Sequence, residues 1–185
     1  MWIVTGLWVG VCLGAVVIGG LLYNGSILDQ RGGSQAASSG PALAKMESGT
    51  PADDFALPDL AGKTVRLSDF RGKVVVFNFW ATWCGPCVEE MPIFERYQQQ
   101  YPGFVMIGID TEETAEQVQA FLKTTSINYL ILVDQQAEAA EQYRVQLLPT
   151  TIIVDANGEI RYRHYGVLSA EQLDYYLTSL GVIPE

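Results

Sequence analysis

Residues 74–87 read VVVFNFWATWCGPC, and they join the strongest strand pattern of the chain to a closely spaced pair of cysteines. The β-branched and aromatic run at the start, broken only by Asn78, is typical of a strand that is buried on both faces. Pro86 suits the first turn of a helix, where its missing N–H has no partner to lose. The stretch therefore predicts a strand, a turn that carries the first cysteine, and a helix over 86–100.

Strands and helices alternate on the C-terminal side of this stretch. Capping-box patterns at Thr114 and Ser169 predict the starts of two more helices, and Asn157-Gly158 predicts a tight hairpin turn. Apolar runs predict strands at 104–109, 130–133 and 150–154, and a short helix falls at 137–143. On the N-terminal side of the stretch, extended pieces fall at 54–57 and 64–67. This order predicts an α/β fold with a central mixed β-sheet flanked by helices.

Composition narrows the classes of function. The chain has 185 residues with 11 Lys+Arg and 21 Asp+Glu, so its formal net charge is -10. An acidic chain without basic clusters argues against a nucleic-acid partner, because phosphates require Lys and Arg. Hydrophobic residues make up 49% of the chain, which excludes disorder over its whole length. Three cysteines and one histidine are too few for a disulfide scaffold or a zinc finger.

The N-terminus has the pattern of a membrane segment. No charged residue precedes Asp29, and the apolar core from Trp2 to Leu22 would span roughly 30 Å as a helix, about the thickness of the bilayer core. We expect a retained signal-anchor helix over 1–23, because a cleaved signal peptide requires a basic start that this chain lacks. The alternatives are a buried soluble helix and cleavage near residues 42–44.

Two further predictions concern the organisation of the chain. Residues 24–50 are rich in Gly, Ser and Ala and predict a flexible linker to a folded domain over 51–185. Gly6, Gly10 and Gly14 form overlapping G-x-x-x-G units, which would let a second membrane helix approach closely and form a dimer. The alternative is that glycine is simply common in membrane helices.

The cysteine pair indicates redox chemistry. Cys84 would lie at a helix N-terminus, where backbone N–H groups and the helix dipole stabilise a thiolate. It could attack a substrate disulfide, and the more shielded Cys87 would then resolve the mixed disulfide. Half of a zinc site and a structural disulfide are the alternatives. The first lacks further ligands, and the second would constrain only a small loop.

Several motifs resemble one family. The stretch from Arg71 to Cys87, continued by Glu90 and Pro92, and the later segment Leu148-Pro149-Thr150-Thr151 are similar to the TlpA/ResA/CcmG family of membrane-anchored thiol:disulfide oxidoreductases. The resemblance covers essentially all of 51–185. It implies a thioredoxin fold with an N-terminal β extension and a helix–strand insert around 114–133, preceded by one transmembrane helix.

The resemblance also implies a set of site residues. It makes Cys84, Cys87 and Glu90 the catalytic residues and makes position 149 a cis-proline. It implies that substrate contacts lie at Trp83, Gly85, Pro86, Leu148 and Pro149. The Cys84–Cys87 disulfide is then the redox group, and we expect no bound cofactor and no metal.

Glu90 can be argued partly from its spacing. It follows Cys87 by three residues on the same helix face, so its carboxyl could move the proton of that thiol. Partial burial would raise its pKa toward neutrality. The alternative is a solvated helix residue, as we expect for Glu89. Plain thioredoxins have a buried Asp where this chain has Asn78, and an amide cannot titrate.

Other polar residues receive simpler interpretations. Glu112, Glu113 and Glu116 are predicted to form a solvated turn and helix start, and His164 is predicted to be a strand residue.

The sequence predicts an extracytoplasmic thiol:disulfide oxidoreductase. The family analogy favours reduction of protein disulfides, for example in apocytochrome c, with a membrane thiol reductase as the electron donor. The alternatives are a disulfide-donating oxidant, a thiol peroxidase and a non-catalytic tethered binding module.

Overall fold

A computed structural model describes residues 44–184 of the chain. The strands are β1 (Ala44–Pro51), β2 (Ala56–Pro58), β3 (Thr64–Arg66), β4 (Val74–Trp80), β5 (Phe104–Thr111), β6 (Leu130–Asp134), β7 (Thr150–Val154) and β8 (Glu159–Tyr165). The helices are α1 (Gly85–Gln100), α2 (Ala115–Leu122), α3 (Glu138–Gln142) and α4 (Ala170–Ser179), and Leu67–Phe70 forms a 3₁₀ turn. The strand, helix and hairpin predictions are confirmed, with shifts of one to three residues at most ends.

The main sheet of the described residues is mixed. Its order is β1-β8-β7-β4-β5-β6, and β2 and β3 form a separate hairpin. Strands β4, β5 and β6 run parallel, while β7 is antiparallel to β4, and β8 and β1 continue antiparallel pairing at the edge. Asn78 lies opposite Gly108 on one side and Thr151 on the other, near the middle of the sheet. This architecture is the predicted thioredoxin-type α/β fold.

Two apolar layers cover the sheet. Alternate residues of β4 point to opposite faces, as a strand requires. Val76 and Trp80 pack with α1, α2 and α4, whereas Phe77 and Phe79 pack with the β2–β3 hairpin and α3. Because Asn78 lies between Val76 and Trp80 in the alternation, it faces α1, the helix that begins with the cysteine motif.

Local capping explains where the helices begin. The side chains of Thr114 and Ser169 each accept a hydrogen bond from the backbone N–H three residues later, and a glutamine side chain completes each capping box. The hairpin turn between β7 and β8 places Gly158 at a φ of 84°, a conformation that favours glycine. These signals lie within a few residues of sequence, which is why they could be predicted.

The N-terminal boundary differs from the prediction. Strand β1 occupies residues 44–51 and pairs with β8, so the last part of the predicted linker 24–50 belongs to the sheet. Sequence reasoning missed this strand because its partner, β8, lies over a hundred residues away. The predicted anchor 1–23 and its glycine face lie outside the described residues. No helix within residues 44–184 is long and apolar enough to cross a membrane.

Candidate functional site

The cysteine pair lies where strand β4 passes into helix α1. Cys84 is the N-cap of the helix, and its Sγ accepts a hydrogen bond of 3.3 Å from the backbone N–H of Cys87. Pro86 lies in the first turn, as its pattern predicted. The two cysteines form a disulfide, with their Cα atoms 5.3 Å apart. The sulfur of Cys84 thus lies at the positive end of the helix dipole, where a thiolate is stabilised.

Exposure differs sharply around the motif. Trp83 is 69% exposed, and Gly85 and Pro86 are also exposed. Cys84 is buried but retains 6% of its surface, whereas Cys87 is fully buried. An incoming disulfide can therefore reach Cys84 first, and Cys87 is protected from direct attack.

A groove runs beside Cys84. Its volume is about 410 Å³, and its lining includes Trp83, Leu148 and the 48% exposed side chain of Leu147. The Leu148–Pro149 peptide bond is cis, as the family resemblance implied. Sequence reasoning missed Leu147 and the acidic lining residues Glu112 and Glu141, because the groove forms only when segments that are distant in sequence meet.

Glu90 is fully buried beneath the motif. Its Oε1 accepts a hydrogen bond of 2.8 Å from Asn78 Nδ2, and its Oε2 accepts one of 2.6 Å from the backbone N–H of Leu168. Burial away from water raises the pKa of Glu90 to about 8, and the two hydrogen bonds oppose this effect only in part. The neighbouring Glu89 is exposed. The carboxyl therefore changes protonation state near neutral pH, which suits proton transfer.

Further polar groups extend this buried site across the sheet. Asn78 Nδ2 also donates to Thr151 Oγ1 at 3.0 Å, and Thr151 lies opposite His164 on β8. His164 lies between Tyr176 OH and the carbonyl oxygen of Val167, each 3.2 Å from a ring nitrogen. Burial lowers the pKa of His164. The prediction that His164 is a strand residue is confirmed. Its contact with Val167 holds the loop whose next residue, Leu168, donates its backbone N–H to Glu90.

The prediction for Glu113 is wrong. Its side chain is buried and accepts two hydrogen bonds of 2.6 Å from Thr82, one from the backbone N–H and one from Oγ1. Glu112 and Glu116 are exposed, as predicted. The three acidic residues look equivalent in sequence, and only the approach of the turn at Thr82 distinguishes the middle one.

Across residues 44–184, no group of three or more His, Cys, Asp or Glu side chains is arranged to hold a metal ion.

Comparison with known proteins agrees with this geometry. The model of the AhpC/TSA family matches residues 48–163. The thiol-disulfide oxidoreductase ResA of Bacillus thuringiensis subsp. konkukian is 37% identical over 138 residues, which cover 74% of this chain and 80% of that protein. The chain belongs to the TlpA/ResA/CcmG family of thiol-disulfide oxidoreductases. The thioredoxin-like protein YneN of Bacillus subtilis is 38% identical over 136 residues, covering 71% of this chain and 79% of that one.

Solved structures of similar proteins share the fold. A thiol:disulfide interchange protein of Chlorobium tepidum is 28% identical with a TM-score of 0.63, and the match covers 71% of this chain and 95% of that one. The exposed lipoprotein thioredoxin Etrx1 of Streptococcus pneumoniae is 27% identical with a TM-score of 0.64, and it is covered over its full length by 69% of this chain. The protein is therefore an enzyme, a thiol-disulfide oxidoreductase of the thioredoxin fold.

Proposed function

We propose that Cys84 is the attacking nucleophile of this oxidoreductase and that Cys87 is the resolving thiol. The observation that carries the proposal is the position of Cys84 at the N-cap of α1, facing the groove, with Cys87 buried behind it. In the reduced enzyme, the Cys84 thiolate attacks one sulfur of a substrate disulfide and forms a mixed disulfide, while the other substrate sulfur leaves as a thiolate. Cys87 then attacks Cys84, which releases the second substrate thiol and closes the Cys84–Cys87 disulfide.

We further propose that Glu90 takes and returns the proton of Cys87. The Cys87 thiol must lose its proton before it attacks, and the substrate thiolates must gain two protons in all. The balance is one enzyme dithiol and one substrate disulfide giving one enzyme disulfide and two substrate thiols. A carboxyl one helical turn away, with a pKa of about 8, has both forms available at neutral pH.

The groove supports binding of an extended protein segment. Trp83, Leu147 and Leu148 offer apolar contact in the groove that Cys84 also lines. Trp83 and Leu147 are large apolar side chains that stay exposed, a pattern that marks interaction sites when such residues cluster. We assign protein disulfides as the substrates, with Gly85 and Pro86 shaping the approach to the sulfur.

We propose that the reaction runs toward substrate reduction in an extracytoplasmic compartment. The Gly-Pro pair between the cysteines occurs in thioredoxin, whose potential of about -270 mV makes it a reductant. The apolar segment at 1–23 supports a membrane-anchored chain, and cytosolic thiol pools would make a tethered reductase unnecessary. Apocytochrome c, whose haem-binding cysteines must be reduced, is a fitting substrate, and a membrane thiol reductase would supply the electrons.

Trapping tests the assignment of the two cysteines. A Cys87→Ser variant should accumulate a mixed disulfide through Cys84, which can be isolated and identified by mass spectrometry. The matched Cys84→Ser variant should trap no substrate through Cys87, because that thiol is fully buried. Equal trapping by both variants would reverse or remove the assigned roles.

Two measurements separate the alternative activities. A reduction potential near that of thioredoxin supports the reductant, whereas a value near -120 mV, as in DsbA, would identify an oxidant. Turnover of hydrogen peroxide with a thiol donor would identify a thiol peroxidase instead. Full biological function of Cys84→Ser would identify a non-catalytic binding module.

Protease digestion of intact spheroplasts tests the orientation. Residues 51–185 should be removed if they lie outside the cytoplasm, and protection of this region would exclude the proposed location.

A further inference from the structure

We propose that Glu113 and Asp110 form a proton-sharing carboxyl pair that holds the turn before Cys84 and so positions the nucleophile. The inference rests on the proposed role of Cys84 and adds two positioning residues to it. Neither residue belongs to the cysteine motif, and they reach the site from the end of β5 and the loop that follows it.

Glu113 holds the turn that precedes Cys84 through hydrogen bonds to Thr82. Both of its carboxylate oxygens are used, since Oε2 accepts from Thr82 N–H and Oε1 accepts from Thr82 Oγ1, each at 2.6 Å. Thr82 lies two residues before Cys84, whose own N–H donates to Ala81 O at 3.1 Å. The turn that delivers the nucleophile is therefore tied to a single buried carboxylate 31 residues away in sequence.

Asp110 is fully buried on β5, opposite Trp80 of β4. Within the described residues, neither of its carboxyl oxygens accepts a well-formed hydrogen bond. Among the neighbouring side chains, the carboxylate of Glu113 has the largest effect on the pKa of Asp110. Two buried carboxylates side by side are strongly unfavourable, and one shared proton turns their repulsion into a hydrogen bond.

The other side chain that acts on the pKa of Asp110 is also acidic, so it does not stabilise the ionised form of Asp110. The negative charge of Asp134 on β6 raises the pKa of Asp110. The oxygens of Asp134 itself accept hydrogen bonds from the backbone N–H groups of Ala139 and Ala140. Glu138 on α3 is acidic and exposed. Burial together with the charges of Glu113 and Asp134 raises the pKa of Asp110 to about 8, and the backbone N–H of Glu113 opposes this only weakly.

The pair should therefore respond to pH. Below about pH 8, protonated Asp110 donates to Glu113, which keeps both bonds to Thr82. Above that pH, the negative charge of ionised Asp110 repels Glu113 and weakens its hydrogen bonds with Thr82. Cys84 then loses part of its fixed position at the helix N-terminus, where its thiolate is stabilised.

Amide hydrogen exchange at Thr82 directly measures the hydrogen bond from its backbone N–H to Glu113. In the oxidised wild-type chain, protection of this amide relative to its intrinsic rate should fall about tenfold or more as pH rises from 7 to 9, since a hydrogen bond to a charged group is lost. In Asp110→Asn, the amide group still donates to Glu113 but cannot ionise, so protection should stay constant. In Glu113→Gln, protection should be low at every pH. Glu116→Gln, an exposed change on the same segment, should match the wild type.

A second readout connects the pair to the nucleophile. In the reduced chain at pH 7, alkylation of Cys84 should be slower in Glu113→Gln, because a loosened turn raises the thiolate pKa. Simple removal of a negative charge would make it faster, and that result would overturn the positioning role. If Glu113→Gln fails to fold, Thr82→Val and Thr82→Ser replace it: only the valine variant should reduce protection and slow alkylation.

The outcomes separate this inference from the proposed function. Unchanged Thr82 protection in Glu113→Gln, or a pH-dependent fall that persists in Asp110→Asn, would overturn the inference. Because exchange at Thr82 is measured in the oxidised chain, it does not depend on the chemistry of Cys84. Failure of Cys84 in the trapping experiment would therefore leave the Thr82 result intact.

Discussion

Replacing Glu90 by glutamine should stabilise the fold at alkaline pH while slowing disulfide exchange. The change keeps the shape of the side chain and removes its titration. The introduced glutamine can keep the bond from Leu168 N–H through its oxygen. If the Asn78 amide turns over, its Oδ1, which has no partner in the described residues, can accept from the new amide, and Thr151 Oγ1 can donate to the same oxygen.

The magnitude follows from the pKa of Glu90, which is about 8 in the fold against 4.5 for the ordinary carboxyl. Between these values the unfolded chain has lost the proton and the folded chain retains it, so stability falls as pH rises. Relative to the glutamine variant, the wild type keeps its full stability below pH 4.5 and loses it progressively up to about pH 8. Each pH unit is worth about 1.4 kcal/mol, which sums to an upper limit of about 5 kcal/mol.

Urea unfolding of the oxidised chain at pH 4.5, 6 and 8 measures the effect. The advantage of Glu90→Gln over the wild type should grow steadily across the series. The slope contributed by Asp110 is present in both proteins and cancels in their difference. Glu89→Gln, at the exposed neighbouring position, should show no such trend.

Two results would refute this reasoning. A difference between Glu90→Gln and the wild type that does not change with pH would mean that the carboxyl is ionised in the fold. Exchange kinetics that stay equal to the wild type from pH 5 to 9 would remove Glu90 from the proton-transfer step. A more stable but slower enzyme is the specific combination that a buried relay predicts.

Three further substitutions test the packing and charge of the site. Gly108→Ala should lower the free energy of unfolding by about 1–3 kcal/mol in urea titrations, because the added Cβ would lie 2.7 Å from Ile131 Cδ1. Asn78→Asp should destabilise the chain more at pH 8 than at pH 5, since a second buried carboxyl beside Glu90 must stay protonated; equal effects at both pH values would contradict this. Trp83→Ala should change the free energy of unfolding by less than about 0.5 kcal/mol, because the ring is 69% exposed, yet slow mixed-disulfide formation with a peptide substrate.

Most of the fold could be predicted because its signals are local. Residues that are close together in sequence determine each of three features: the buried strand β4, the two capping boxes and the Asn157-Gly158 turn. The position of Cys84 at the start of α1 follows from the same kind of signal, since a strand, a cysteine pair and an early proline occur in sequence. The family motifs add the cis peptide at Pro149.

The acidic residues show where sequence reasoning stops. Glu112, Glu113 and Glu116 carry the same side chain in one short segment, and the pattern offers no reason to separate them. Burial of Glu113 depends on Thr82, which is distant in sequence. Likewise, spacing placed Glu90 on the face of Cys87, but its hydrogen bond from Leu168 joins residues 78 positions apart.

The difference between the features that the sequence predicts and those that it does not has one physical cause. Backbone geometry, capping and turn chemistry are set by neighbouring residues, so the order of strands and helices and the place of the cysteine pair can be obtained from sequence. The pKa of a carboxyl depends on whether water reaches it and on which groups surround it, and those groups come together only when the sheet and helices pack. Tertiary structure alone therefore decides that Glu90 and Asp110 keep their protons near neutral pH while the exposed Glu89 and Glu116 remain solvated.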